Sequence, residues 1–321
     1  MQQMAEAVAT IIEGRCGEEE IAGFLTALHN KGETVAEIAG AAAALRRQMV
    51  PIRTSRTVLI DTCGTGGDRS GVFNISTAAA IVVAACGVAV AKHGNRAVTS
   101  RSGSADVLAE LGVNVEAEVG KVEQCLEELG LCFCFAPLLH HAMKHVAAVR
   151  KRLATPTIFN ILGPLTNPAG APFQLLGVGQ AELQPLLCEA LGMLGTRRTL
   201  VVHGGDGLDE VTLAGPTHVA ESAAGQMRHF DWTPVDFGLP VGDLASLRVA
   251  GPVESAAIIR GVLRNRPGPA RDIVVANAAA ALWTVGTPPS LVGCATLAAE
   301  AIQSGAAADL LARLVALTSA V

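Results

Sequence analysis

From Val58 onward the chain alternates two periods that few fold classes accommodate together. Short β-branched runs are followed by stretches whose apolar positions recur at three and four, and a glycine ends each such stretch ahead of the next run. VLIDT leads to a helix opening near Ser76, VAVAK follows Gly87, SADVLAELG leads to VNVE, and KVEQCLEELG leads to LCFCF. A glycine that caps a helix and hands the chain to a strand, repeated in this way, implies a mostly parallel central sheet covered by helices. FQLLGVG, TLVVHG and THVAE are later strand candidates, and Pro137 to Leu153 reads as one helix.

The residues before Val58 carry no strand signal. AVATIIEG, EEEIAGFLTALHNKG and TVAEIAGAAAALRRQM have helical spacing, Gly32 stops the second and Thr34 can cap the third. The expected class is α/β: a small all-α N-terminal domain over 1–56, which part of 144–172 can rejoin, and a larger α/β domain over 57–321.

Composition excludes several function classes. A chain of 321 residues that is 50% hydrophobic and 17% charged buries a sizeable core and is not disordered. Its net charge of -5 comes without any basic tract, so no nucleic-acid partner is expected. The longest apolar stretch, Ala78 to Ala91, is shorter than a bilayer span, so no membrane partner is expected either. MQQMAEAVATIIEG lacks a basic n-region, and the expected location is cytoplasmic. The eight cysteines, at 16, 63, 86, 125, 132, 134, 188 and 294, form no CxxC pair and read as reduced thiols. Cys132 and Cys134 fall on one face of a strand. Cys63, with no histidine near it in sequence, reads as a small loop residue rather than a nucleophile.

Function is concentrated in loops that follow the strands. In DTCGTGGD, residues 61–68, Asp61 closes a strand, and Gly64, Gly66 and Gly67 let backbone N–H groups approach an anion ahead of a helix N-terminus. A tight turn explains such glycines about as well, and the loop is neither a P-loop nor a dinucleotide fingerprint. FNIST adds Asn74, Ser76 and Thr77 at the helix mouth, where Ser76 alone would read as a cap. KHGNR, residues 92–96, and HGGDGLDE, residues 203–210, follow two further strands. Loops at the carboxyl ends of neighbouring parallel strands open onto one crevice. There Asp209 and Glu210 suit magnesium, which takes one or two carboxylates plus phosphate oxygens and waters; outside it they are solvated charge. His141 and His145 are four apart, but HAMKH lacks a metalloprotease glutamate and reads as ordinary helix.

GTGGD, NIST, KHGNR, SGSADVLAELG, NILGPLTNP and HGGDGLDE stand in the order and spacing of the anthranilate phosphoribosyltransferase family, with GPARDIVVANAAAAL near the end. The chain resembles that family, one of the nucleoside phosphorylase and phosphoribosyltransferase group, over nearly its whole length. The resemblance implies transfer of the phosphoribosyl group from phosphoribosyl pyrophosphate to the amine of anthranilate in tryptophan biosynthesis, with Mg2+ as cofactor. It implies a homodimer joined through the N-terminal helices.

By the same resemblance Gly64, Gly67, Asp68, Asn74, Ser76, Thr77, Lys92 and Ser104 contact phosphoribosyl pyrophosphate. Ser76, Asp209 and Glu210 hold the metal, and Lys92 joins the two acids as the catalytic set. Gly64, Asn95 and Arg150 contact anthranilate, with His93 and His140 lining its approach; Arg150 alone would read as a helix-surface charge. The chain departs from the family at Val72, where a hydroxyl is common, at His141, where proline is common, and at Ser255, where asparagine is usual. The alternatives are a pyrimidine nucleoside phosphorylase-like enzyme and a non-catalytic relative that binds a phosphoribosyl compound.

Overall fold

A computed structural model describes residues 1–97 and 102–320 of the chain. Three helices come first: α1 (Gln2–Ile12), α2 (Glu18–Lys31) and α3 (Val35–Gln48). Gly32 ends α2 at a φ of 82°, and Thr34 opens α3 with a reciprocal cap. The Thr34 backbone N–H donates to Glu37 Oε2 at 2.9 Å while Thr34 Oγ1 accepts from the Glu37 N–H at 3.4 Å.

The alternating region follows as β1 (Leu59–Gly64), α4 (Ile75–Ala85), β2 (Ala89–Gly94), α5 (Ser104–Glu110), α6 (Val119–Leu129) and β3 (Leu131–Phe135). After α7 (Ala136–Leu139) and α8 (Lys144–Leu153) come β4 (Phe173–Gly177), α9 (Leu183–Met193) and β5 (Arg198–Gly204). A hairpin, β6 (Thr217–Ala223) and β7 (Gln226–Trp232), precedes α10 (Pro252–Leu263), α11 (Pro269–Val285), α12 (Leu291–Gln303) and α13 (Ala306–Ser319).

The seven strands form one sheet in the order β3-β2-β1-β4-β5-β6-β7. The first five run parallel, β6 pairs antiparallel with β5 and β7 antiparallel with β6, so the sheet is mostly parallel as expected. From β1 the chain winds outward to β2 and β3, then returns to lay β4 on the other side of β1. That reversal is a topological switch point, where open α/β sheets bind ligands beyond the strand ends. The register Gly64↔Gly177 sets two glycines side by side there.

Strand periodicity sorts the core into two layers. Leu175, Leu200 and Val202 face a cluster built from α4, α10, α11, α12 and α13. Leu176 and Val201 face the other cluster, which joins Val8, Leu25, Ile38, Val146 and Val149 of the N-terminal helices and α8 to Leu187 and Leu191 of α9. The small helical layer thus has no core of its own; it shares one with the back of the sheet. No single helix among the described residues is long and apolar enough to cross a membrane. All eight cysteines are free, Cys16 and Cys86 half-buried and the others buried, and Cys132 Sγ lies 3.9 Å from Cys134 Sγ on one strand face.

Four expectations are corrected. VNVE is not a strand: Val113 and Val115 are buried, but the Asn114 backbone N–H donates to Thr318 Oγ1 of α13 at 3.2 Å, so a helix side chain replaces a ladder partner. Pro137 to Leu153 is not one helix, because His140 leaves helical geometry (φ -117°, ψ 56°) and a 3-10 turn at His141–Met143 separates α7 from α8. Asp61 lies inside β1 rather than at its end, and Cys63 is a strand residue with its Sγ accepting from Gln174 Nε2 at 3.2 Å. β7 was not expected; Gln226, Met227, Arg228 and His229 are all exposed on this edge strand, so the sequence lacks the apolar alternation of a half-buried strand.

Candidate active site

The loop leaving β1 is tied to the neighbouring strand β4. The Thr65 N–H donates to Gly177 O at 2.9 Å, anchoring the loop to β4. Gly66 and Gly67 then take φ of 67° and 86°, and Arg69 follows at 56°. For a non-glycine residue that left-handed backbone costs roughly 1–2 kcal/mol, so Arg69 is a strained point in the loop. Asp68 Oδ1 accepts from the Ser70 N–H at 3.2 Å and helps order the bend. Gly179 makes room for it: a Cβ there would stand 2.9 Å from Asp68 Cα.

The acid pair after β5 closes onto this loop. Asp209 Oδ2 accepts from the Gly66 N–H at 3.1 Å, and Glu210 Oε1 accepts from the Ser76 N–H at 3.0 Å, in the first turn of α4. Two carboxylates therefore meet the glycine loop and a helix N-terminus, each a region of positive potential. Both acids are half-buried with protein packed around the carboxyl groups. Desolvation, followed by the charge of Asp68, pushes Asp209 up to about 7. Desolvation, followed by the charge of Asp209, pushes Glu210 up to about 8, with Lys92 opposing. Such a pair is short of positive charge. The described residues include no group of three or more His, Cys, Asp or Glu able to hold a metal by themselves. The donor set consequently fits a hard cation such as Mg2+ whose remaining sites are filled by substrate oxygens and water.

Lys92, on β2, is buried against the same joint. Its Nζ donates to Thr62 O and, at 3.1 Å, to Ser76 Oγ. Burial pulls its pKa down while Asp61 pulls it up. Ser76 is thus held from both sides, its N–H by Glu210 and its hydroxyl by Lys92. Asn74 is fixed just upstream: its N–H donates to Ser255 Oγ of α10 at 2.9 Å, and its Oδ1 accepts from the buried Thr77 hydroxyl. Ser104 Oγ donates to Asn95 O at 3.4 Å, and Gly94 permits the approach, since a Cβ there would lie 2.2 Å from Ser104 Oγ.

The residues expected on the acceptor side fall into three places. His93 and His140 are both buried and meet at 3.1 Å between Nε2 atoms. The His93 N–H also donates to Asp61 Oδ1 at 3.0 Å. Asn95 is exposed beyond β2, its Oδ1 accepting from the Arg96 N–H at 2.7 Å. Arg150, on α8, is half-buried with its guanidinium 6.0 Å from the centre of the Phe159 ring. Cys63 is no nucleophile: burial, and then the charge of Asp61, push its thiol well above the ordinary range.

The departures also find places. Val72 forms a bridge to Arg248, and His141 is exposed in the 3-10 turn. Ser255, to which no consequence attached in the sequence, is the acceptor for Asn74. Gly177 and Asn277 were missed altogether. A Cβ on Gly177 would lie 1.6 Å from Asp209 O, and the Asn277 side chain bonds the backbone of Val211. GPARDIVVANAAAAL did contain one amide in an otherwise apolar helical run, a signal that this amide has a partner.

Comparison with known proteins is consistent with this geometry. The glycosyl transferase family a/b domain matches residues 56–308 and the helical bundle domain of that family matches residues 1–49. The anthranilate phosphoribosyltransferase of Rhodospirillum rubrum is 53% identical, covering 99% of this chain and 92% of its own length. That of Rhodopirellula baltica is 51% identical, covering 98% and 92%. The crystal structure of the Thermus thermophilus enzyme superposes with a TM-score of 0.93 at 46% identity, covering 99% of this chain and 95% of that one. The Saccharomyces cerevisiae enzyme in complex with phosphoribosyl pyrophosphate and Mg superposes with a TM-score of 0.91 at 31% identity, covering 100% and 93%. With identity of this order over nearly the whole length and both layers of the fold in common, the chain belongs to the anthranilate phosphoribosyltransferase family.

Proposed function

We propose that the chain transfers the phosphoribosyl group of phosphoribosyl pyrophosphate to the amine of anthranilate, giving N-(5-phosphoribosyl)anthranilate and pyrophosphate in tryptophan biosynthesis. The observation that carries this reading is the joint at Ser76. One residue at the mouth of α4 is bonded to Glu210 through its N–H and to Lys92 through its hydroxyl, beside the glycine loop at the switch point. The Saccharomyces cerevisiae relative has been seen with phosphoribosyl pyrophosphate and Mg and, separately, with 4-fluoroanthranilate, which supports the choice of both substrates.

In this reading Gly64, Gly67 and Asp68 follow the pyrophosphate with backbone N–H groups and a loop-ordering carboxylate. Asn74, Ser76, Thr77 and Ser104 bind the phosphoribosyl group, and the Lys92 amine lies beside Ser76, where Asp61, Glu210 and Asp209 favour its charged form against burial. Ser76, Asp209 and Glu210 would hold magnesium, which when bound offsets negative charge on the leaving group. Arg150 pairs with the anthranilate carboxylate, and Asn95 orients the ring. His93 and His140 are held neutral by burial, so they shape the approach as uncharged rings. The aromatic amine is neutral and already nucleophilic, so positioning suffices without a strong base. A homodimer and a cytoplasmic location belong to the same reading and rest on the family resemblance.

The test follows anthranilate fluorescence in purified protein. Loss of signal that requires protein, phosphoribosyl pyrophosphate and Mg2+ together, and that fails in Arg150→Ala, is the expected result. No loss while phosphoribosyl pyrophosphate still binds would overturn the assignment of the acceptor.

A further inference from the structure

α11 crosses the middle of the larger core cluster and is buried on nearly all sides, from Ile273 through Leu282. At its centre stands Asn277, 0% exposed. A primary amide in such a place is unfavourable unless its polar atoms are bonded. Its Oδ1 accepts from the Val211 N–H at 2.9 Å, and its Nδ2 donates to Val211 O at 2.9 Å and to Ile273 O at 2.9 Å. The two bonds to Val211 grip both backbone polar groups of a single residue, as a neighbouring strand would. The third, to a carbonyl one turn back in the same helix, fixes the orientation of the amide. Turning the amide over would face its oxygen to two carbonyl oxygens and its NH2 to an N–H, so the arrangement has one sense.

Val211 directly follows Glu210. On the other side of the acid pair, the backbone oxygen of Asp209 occupies space that any side chain on Gly177 would need. Residues 209–211 are therefore confined between a glycine floor at the end of β4 and an amide clasp from α11. Asn277 and Glu210 line one gap with Ser76 and Gly177.

We propose that Asn277 is a positioning residue for the acid pair: it touches neither substrate nor metal, but its grip on Val211 sets where Asp209 and Glu210 present their carboxylates. This rests on the reading of those acids as the cation-holding pair, and the experiment separates the two.

Mn2+ serves as the probe, its binding read by electron paramagnetic resonance in the presence of phosphoribosyl pyrophosphate, beside kcat and KM. The variants are Asn277→Leu, which removes both bonds to Val211, and Asn277→Ser, whose hydroxyl can bond Ile273 O alone. Thr284→Val is the control: Thr284 is equally buried on α11, but its hydroxyl donates to the Ala280 carbonyl of its own helix, at 2.7 Å. The expected result is Mn2+ binding weakened about tenfold or more in both Asn277 variants, since two buried hydrogen bonds are lost. kcat falls with it, KM for anthranilate stays within about twofold, and Thr284→Val leaves Mn2+ binding unchanged. Folded Asn277 variants that bind Mn2+ and turn over like the parent overturn the proposal, and if Asn277→Leu does not fold, Asn277→Ser decides alone. A parent protein that binds no Mn2+ with phosphoribosyl pyrophosphate overturns the reading of the acids, and the proposal with it.

Discussion

His93 and His140 meet edge to face at the end of β2, their ring centroids 5.0 Å apart and their Nε2 atoms 3.1 Å apart. Two nitrogens at that distance share one proton, so one ring donates, the other accepts, and neither can take a further proton there without breaking the bond. Burial, and then the neighbouring imidazole charge, hold His93 down to about 3; burial, and then His141, hold His140 down to about 4. An unfolded imidazole titrates near 6.5. Below that pH the unfolded chain takes up protons that the folded pair refuses, so this contribution is complete above about pH 6.5 and is lost as pH falls toward 4. His140→Gln removes one of these groups. Its stability should fall less steeply than that of the parent between pH 6.5 and 4.5, by up to about 1.4 kcal/mol per pH unit. Urea unfolding at three pH values measures both slopes, and parallel slopes would refute the neutral pair.

Asp209 and Glu210 have the opposite sign. Their carboxyls are held up to about 7 and about 8 by desolvation, so the metal-free fold keeps protons that the unfolded chain has released. Stability is lost as pH rises from the ordinary carboxylate range toward 8. Below about pH 6.5 the histidine pair works against this trend, and above it that opposition is gone. In EDTA, the melting temperature should decline between pH 6.5 and 8.5. Asp209→Asn should flatten that decline, raise the melting temperature at pH 8.5 and abolish transfer, as at sites where function holds like charges together. Scanning calorimetry of both proteins decides; a decline equally steep in Asp209→Asn would assign the loss to other groups.

The parts of the fold legible in the sequence are those written in local pattern. Thr34 and Gly32 mark helix ends through chemistry confined to a single turn, and the strands around Leu175 and Val201 show as apolar runs between glycines. The loops carrying Gly66, Ser76, Lys92 and Asp209 were legible as polar clusters after strands, and the switch point explains why they converge. What stayed hidden is set by distant partners. His140 breaks its helix because its ring is buried against His93, 47 residues away, and no spacing rule registers that contact. VNVE alternates like a strand yet bonds α13, some 200 residues later, and Ser255 is one hydroxyl whose meaning lies in the N–H of Asn74.

The glycines around the acid pair are there for two different reasons, and substitution separates them. Gly177 lies directly under the Asp209 backbone, its would-be Cβ 1.6 Å from Asp209 O, and no side-chain rotation relieves a clash with a carbonyl. Gly177→Ala must lift Asp209 by roughly 2 Å to restore ordinary contact, and a displacement of about 1 Å at reacting groups can lower a rate on the order of 100-fold. Gly64→Ala meets Asp209 Oδ2 at 2.8 Å, a side-chain atom that can turn aside, though doing so breaks the bond to the Gly66 N–H. Gly67 has open space around it but a φ of 86°, so Gly67→Ala meets backbone strain of roughly 1–2 kcal/mol rather than collision. The expected order of lost kcat is Gly177→Ala, then Gly64→Ala, then Gly67→Ala, with the last acting mainly on KM for phosphoribosyl pyrophosphate. Steady-state kinetics on the three variants, each first shown to melt cooperatively, test that order. A Gly177→Ala enzyme with kcat near that of the parent would mean that the acid pair tolerates displacement, and that its close seating on β4 serves packing alone.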